Sequence, residues 1–215
     1  MRTGFKAPFK FGLQQILDCA SHPSWSIPYL FSGMPDFAHN YGLSGNGTPF
    51  FDRYSGTRLI ADLDFLKSLR DQWKGNLFVK GITFVEDAYE SINCGCNGIY
   101  VSNHGGRQLE SVPAALDLLK LIREELGPQI PILFDSGLRS GEDIIKALAL
   151  GADFVFLGRP FLFASALGSR QAVIHLIEIL NKQIDSVMAQ LACTSLENLS
   201  NTVIYGVDRS KKMVG

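Results

Sequence analysis

The sequence predicts an α/β fold, with four βα units in tandem behind a long helical and loop segment. Three observations carry this reading. Four short apolar runs, rich in β-branched and aromatic residues, recur between residues 76 and 158. Each is followed by a loop and then by a stretch of helical periodicity. The runs are continuously apolar rather than alternating, as strands are when helices cover a parallel sheet. Tandem units of this kind imply right-handed crossovers. Residues 1–75 and 76–215 therefore read as two regions.

In the first region, Phe11 to Ala20 reads as a helix, and the aromatic-rich Trp25 to Phe31 as a second helical stretch. Asp36 to Arg58 is a Gly/Asn/Ser/Thr loop, of a length that is usually functional. Asp62 to Trp73 is a helix leading into the first strand, Leu77 to Lys80. Thr83, with Glu86 three residues on, reads as the capping box of a helix running to Cys94. Ile99 to Ser102 is the second strand, with its helix from Pro113 to Leu126. Ile132 to Asp135 is the third, with its helix from Glu142 to Leu150. Phe154 to Gly158 is the fourth and runs into a further helix. Helical sequence from Ser169 to Leu191 closes the pattern, with a polar tail after Cys193.

Composition narrows the function classes. The 215 residues are 46% hydrophobic, enough for a sizeable core, and carry a formal charge of −1. No basic stripe is present, so nucleic acid is not an expected partner. No stretch reaches the ~18 consecutive apolar residues of a spanning helix, and the first residues lack the layout of a secretory signal. Cys94-Gly95-Cys96 is too tight for the usual zinc pair and has no His pair with it, so no metal site is expected. Reduced thiols in a cytoplasmic protein are the simplest reading of the four cysteines.

Two constellations carry chemistry. Ser102-Asn103-His104-Gly105-Gly106-Arg107-Gln108-Leu109 follows the second strand. His104 can accept a proton near neutral pH, Arg107 can grip a carboxylate with its planar fork, and the glycines leave room for close approach. A small organic acid fits that pair; a surface loop that merely contains His and Arg is the alternative. The second constellation is a pair of loops, Asp135-Ser136-Gly137-Leu138-Arg139-Ser140-Gly141 and Gly158-Arg159-Pro160. Both place Gly and Arg at helix N-termini, where free N–H groups and the helix dipole favour an anion. In a (β/α)8 barrel, a phosphate is commonly held by the loops after the last two strands.

A closed barrel needs eight strands and about 250 residues, whereas four strands are read here. Either this is a half-barrel that pairs with something, or it is the C-terminal portion of a longer protein; the second is the expectation.

The landmarks Val79-Lys80-Gly81, Ser102 to Leu109, Asp135 to Gly141, Ala147 to Ala152 and Leu157-Gly158-Arg159 resemble the C-terminal part of one family. It is the FMN-dependent L-2-hydroxy-acid dehydrogenase/oxidase family, which includes flavin-type L-lactate and mandelate dehydrogenases. The resemblance implies the C-terminal part of a (β/α)8 TIM barrel that binds FMN and oxidises a small 2-hydroxy acid. It implies that Lys80 lies by the flavin N1–C2=O edge and that Ser102 hydrogen-bonds the flavin. His104 would take a proton from the substrate, and Arg107 would hold its carboxylate. Asp135 would meet the ribityl hydroxyls, with Gly137, Arg139, Gly158 and Arg159 around the phosphate. Ser136 and Leu138 complete the cofactor-binding set.

The family's N-terminal half also supplies a tyrosine facing the substrate, an aspartate that orients the histidine, and a second carboxylate-binding arginine. None has a counterpart here, so the isolated chain is expected to be inactive or nearly so. Ser21 to Pro35 is similar to the mandelate and respiratory lactate dehydrogenases, in which this loop is associated with membrane attachment. Phe5, Phe9, Phe11, Trp25, Tyr29, Leu30 and Phe31, with Arg2, Lys6 and Lys10, suit an interfacial anchor within residues 1–55; covering a barrel flank suits them equally. The anchor reading implies a quinone as electron acceptor and a peripheral place on the cytoplasmic face of a membrane. The resemblance also implies a homo-oligomer at full length. Two alternatives stand beside it: a flavin- or phosphate-binding half-barrel without catalysis, and a phosphate-binding barrel enzyme without flavin.

Overall fold

The computed structural model describes residues 12–32, 62–109 and 111–199. The chain divides into two compact units, Met1–Asp62 and Leu63–Gly215, so the helix expected at 62–73 groups with the sheet.

In the first unit, α1 (Leu13–Ser21) and α2 (Pro23–Ser32) fall where helices were expected. Leu13, Ile16 and Leu17 recur at helical spacing on α1 and are all exposed. In α2 the Trp25 and Tyr29 rings, one turn apart, stack with centroids 5.2 Å apart, and Leu30 and Phe31 are exposed. The expected loop from Asp36 to Arg58 lies outside the described residues.

The second unit runs α3 (Leu63–Gln72), β1 (Phe78–Ile82), α4 (Val85–Asn93), β2 (Gly98–Val101), α5 (Ala115–Leu126), β3 (Ile132–Phe134), α6 (Gly141–Ala149), β4 (Phe154–Val155), α7 (Arg159–Ala166) and α8 (Arg170–Gln190). The strands lie in the order β1-β2-β3-β4, all parallel. The continuous apolar runs conceal an alternation. Ile99, Val101, Ile132 and Phe134 are fully buried in the core with Leu119 and Ile122 of α5, whereas Tyr100 and Leu133 between them are only half-buried. Successive strand residues point to opposite faces, so the helix-covered face is closed and the Tyr100 face is not. Burying each large apolar side chain contributes about 1.5–3 kcal/mol.

Close approaches fix the glycines that matter. A Cβ on Gly98 would stand 2.5 Å from both the Phe78 ring and the Pro131 carbonyl oxygen, so β1 and β2 pack at this distance only around glycine. A Cβ on Gly141 would stand 2.6 Å from the Ile184 nitrogen, which lets α6 lie directly on α8.

At the N-terminal end of the sheet, Arg123 ties two loops together, the one before β3 and the one before β4. Its Nε donates to the Gly151 carbonyl at 2.7 Å. Its Nη1 donates to those of Gly127 and Ile130 at 2.7 and 2.9 Å. Its Nη2 meets Asp153 at 2.6 Å, and Asp153 also accepts the Ile132 N–H that opens β3, at 2.7 Å.

Two local expectations are corrected. The N-cap of α4 is Phe84, not Thr83, and it makes no side-chain cap bond. Glu86 therefore falls one position too early for a capping box, and with Asp87 it serves the first turn through the helix dipole. The fourth strand is shorter than 154–158: as an edge strand, β4 pairs only with β3, and its ladder ends with Phe156 N–H donating to Phe134 O at 2.8 Å.

Candidate functional site

At the C-terminal end of the sheet the side chains converge on one carboxylate. Asp135 follows β3 directly, and its N–H donates to Val101 O at 3.2 Å, which fixes it beside the end of β2. Its Oδ1 accepts from the Ser102 hydroxyl and from Ser136 Oγ at 2.8 Å. Its Oδ2 accepts from the Lys80 ammonium and from the Tyr100 hydroxyl at 3.0 Å. Burial by itself pushes the Asp135 carboxyl up. Hydrogen bonds from Lys80, Ser102, Ser136 and Tyr100 outweigh that and hold it below the usual carboxylate range. The Tyr100 phenol goes the other way, raised by burial first and then by the Asp135 charge.

Ser102 is buried, and its Oγ also accepts the His104 N–H at 3.1 Å. The segment beyond it turns tightly: His104–Gly106 forms a single 3-10 turn, with His104 at φ 55° and Gly105 and Gly106 also left-handed. Asn103 Oδ1 closes the turn by accepting Gly106 N–H at 3.2 Å. Ser136, a non-glycine residue at φ 92°, accepts the N–H groups of Asn103 and Gly105 at 3.2 and 3.1 Å. Such a backbone costs on the order of 1–3 kcal/mol and persists where its surroundings hold it; here three hydrogen bonds do so. Arg159, at the start of α7, lies over the same turn: a Cβ on Gly105 would be 3.3 Å from its Nη2. A cavity of about 340 Å³ opens here, lined among others by Gly105, Gly106, Ser136, Gly137, Leu138 and Arg159.

The structure thus brings together Lys80, Ser102, Asp135 and Ser136, and separately Gly137, Leu138 and Arg159 around the cavity. His104 and Arg107 are exposed beside them, and Arg107 N–H donates to His104 O at 3.3 Å. Among the described residues, no carboxylate pairs with the His104 ring, and the side chains of Arg107 and Arg139 form no ion pair. Tyr100 was not singled out from the sequence.

The expected anion site at the start of α6 needs correction. Ser140 and Asp143 form a reciprocal capping box there, and Asp143 Oδ2 takes the Arg139 and Ser140 N–H groups at 2.9 and 3.0 Å. Gln183 Oε1 takes that of Gly141 at 2.8 Å. With these donors and the Asp143 N–H occupied and an acid beside them, this helix end has little left for a phosphate. The N–H groups of Gly137, Leu138, Gly158 and Arg159 are different: none is bonded within the described residues, and a Cβ on Gly137 or Gly158 would meet nothing within 4 Å. Open donors beside a guanidinium, next to a shielded carboxylate with hydroxyl and ammonium neighbours, fit a phosphorylated, polyhydroxylated ligand such as FMN. Among the described residues no cluster could hold a metal ion.

Comparison with known proteins agrees with this geometry. The model of a family described as FMN-dependent dehydrogenase matches residues 1–206. The chain is 35% identical over 202 residues to (S)-mandelate dehydrogenase of Pseudomonas putida, covering 93% of this chain and 51% of that protein. It is 38% identical over 175 residues to L-lactate oxidase of Lactobacillus jensenii, covering 80% and 43%. Among solved structures, (S)-mandelate dehydrogenase, described as a monotopic membrane protein, aligns with a TM-score of 0.81 at 36% identity, over 92% of this chain and 53% of that one. A mandelate oxidase aligns with a TM-score of 0.61 at 36% identity, over 64% and 40%. The chain spans about half the length of the curated relatives it matches. The fold is that of a partial (β/α)8 barrel, as expected.

Proposed function

We propose, on the premise that this chain belongs to the FMN-dependent dehydrogenase family, that it forms the flavin- and substrate-handling face of an enzyme oxidising a small L-2-hydroxy acid to the 2-oxo acid. The observation that carries this is the Asp135 cluster at the C-terminal end of a parallel sheet, beside the His104 turn and the open donors around Arg159. FMN, when bound, supplies the two-electron acceptor. Lys80 and Ser102 would face its ring system, and Asp135 would accept from ribityl hydroxyls. Gly137, Leu138, Gly158 and Arg159 offer N–H groups to the phosphate, with the exposed Arg139 guanidinium adding charge. Ser136 acts by fixing the turn. Arg107 would bind the substrate carboxylate, and His104 would take one proton as the hydroxy acid loses two electrons and two protons, the electron pair and the second proton being what FMN would accept.

The direct test is a flavin-fluorescence titration of the 215-residue chain with FMN, in which saturable quenching is expected. For turnover, the chain is fused behind the N-terminal half of the Pseudomonas putida (S)-mandelate dehydrogenase, and anaerobic bleaching by L-mandelate or L-lactate is followed. Bleaching that His104→Ala slows by at least about a hundredfold is expected of a general base. Flavin that binds but stays yellow with both acids favours the non-catalytic alternative. Residues 1–215 alone with FMN are expected to turn over neither acid, since His104 lacks an acidic partner among the described residues.

A second reading concerns the first unit. No helix of the described residues is long and apolar enough to cross a membrane, yet α1 exposes Leu13, Ile16 and Leu17 on one face and α2 exposes Leu30 and Phe31. A helix of this kind can lie in a membrane interface, which would suit a quinone acceptor. Flotation with anionic vesicles, lost on Leu30→Asp/Phe31→Asp, is the expected result; retention of flotation would count against it.

A further inference from the structure

We propose that the Tyr100 hydroxyl is a place-holder on Asp135 that lets Lys80 leave this carboxylate for an anionic ligand. The proposal rests on the FMN reading above and deepens it. Tyr100 pairs in register with Lys80 across the β1–β2 ladder and stands on the sheet face opposite the buried Ile99 and Val101. Its ring stacks on Phe156 with centroids 5.0 Å apart, and the Lys80 ammonium lies 4.2 Å from its centre. Its hydroxyl and that ammonium share a single acceptor, Asp135 Oδ2.

The sharing matters because the two ends of the ion pair differ. The Asp135 side chain is 17% exposed and that of Lys80 46%. An ammonium has three donors, and this one spends a single donor on Asp135 among the described residues. It can turn toward a ligand at little cost of its own. The carboxylate cannot follow, because Ser102 and Ser136 hold Oδ1. Were Lys80 the sole partner of Oδ2, its departure would strand a shielded charged acceptor, which is the expensive case. Tyr100 stays on Oδ2 and removes that cost. Its ring face also attracts the cation throughout the swing. An aliphatic residue at this position would serve β2 equally well; the hydroxyl serves only Asp135. Tyr100 is therefore a positioning residue, acting through Asp135 and Lys80.

The test uses the full 215-residue chain. In the wild type, added FMN is expected to move the Lys80 Nζ resonance in nitrogen-detected NMR; a resonance that stays in place while FMN binds overturns the proposal. Tyr100→Phe keeps the ring and removes the hydroxyl. It is expected to raise the Asp135 titration midpoint in carboxyl-carbon NMR without FMN, and to weaken FMN binding about tenfold. Tyr100→Leu removes the ring as well and should weaken binding further. A Tyr100→Phe chain with the wild-type Asp135 midpoint, or with wild-type FMN affinity, overturns the place-holder role and leaves the FMN reading standing. A wild-type chain that binds no FMN overturns that reading and the release of Lys80 together.

Discussion

Asp135 and Asp153 sit at opposite ends of the same parallel sheet, each paired with a cation, and the two pairs are built in opposite senses. At the N-terminal end the cation is the shielded member: the Arg123 side chain is 15% exposed and Asp153 53%. At the C-terminal end the carboxylate is shielded and the cation reaches solvent. Arg123 commits four of its five N–H donors, three of them to carbonyls of neighbouring loops, so little remains for a ligand. Lys80 commits one. A cation with most of its donors committed fastens chain to chain, whereas one with most of them open over a shielded carboxylate leaves capacity for a guest. In a barrel of this kind the first pattern belongs to stability and the second to function.

The sharpest way to break the comparison is Arg123→Ala. It strands three carbonyls and a carboxylate, and urea unfolding should show a loss of about 3 kcal/mol or more. A loss under about 1 kcal/mol would mean that this end is not the fastening. Next is Lys80→Met, which leaves Tyr100, Ser102 and Ser136 on Asp135. Stability should change by less than about 1 kcal/mol while FMN affinity falls about tenfold or more. An equal loss in both measurements would erase the distinction between the two ends. The smallest effect is on pH. The folded Asp135 carboxyl lies below its unfolded value of about 3.9, so its contribution is complete above that value and is lost as pH falls through the folded one. Asp135→Asn should flatten the acid limb of the stability profile, and an unchanged limb would assign acid sensitivity to other groups.

Much of the C-terminal end was legible in the sequence, because glycines, His and Arg at strand ends leave strong local signals. Ser102 and Asp135 lie where expected, at the ends of β2 and β3, whereas Lys80 is the middle residue of β1 rather than its last; the meeting of the three depends on strand register, which no local pattern encodes. Tyr100 carries no such signal, because an aromatic in an apolar run reads first as a strand former; its position opposite Lys80 emerges only from the register. The start of α6 was misread for the opposite reason. Ser140-Gly141-Glu142-Asp143 carries the Ser-x-x-Asp spacing of a self-capped helix, a signal that competes with the Gly and Arg beside it. Thr83 shows the converse: the spacing was present, but the backbone placed the cap one residue later.

The Ser136 hydroxyl joins the loop after β2 to the loop after β3, taking two amide protons from one and giving its own to the other. With its donor and both acceptor positions engaged, it works as a mechanical strut. The turn that carries His104 and the strand end that carries Asp135 are thereby geared to each other, so breathing in one should be felt in the other. The amides of Asn103 and Gly105 should exchange with deuterium at a common rate, and Ser136→Ala should release both at once.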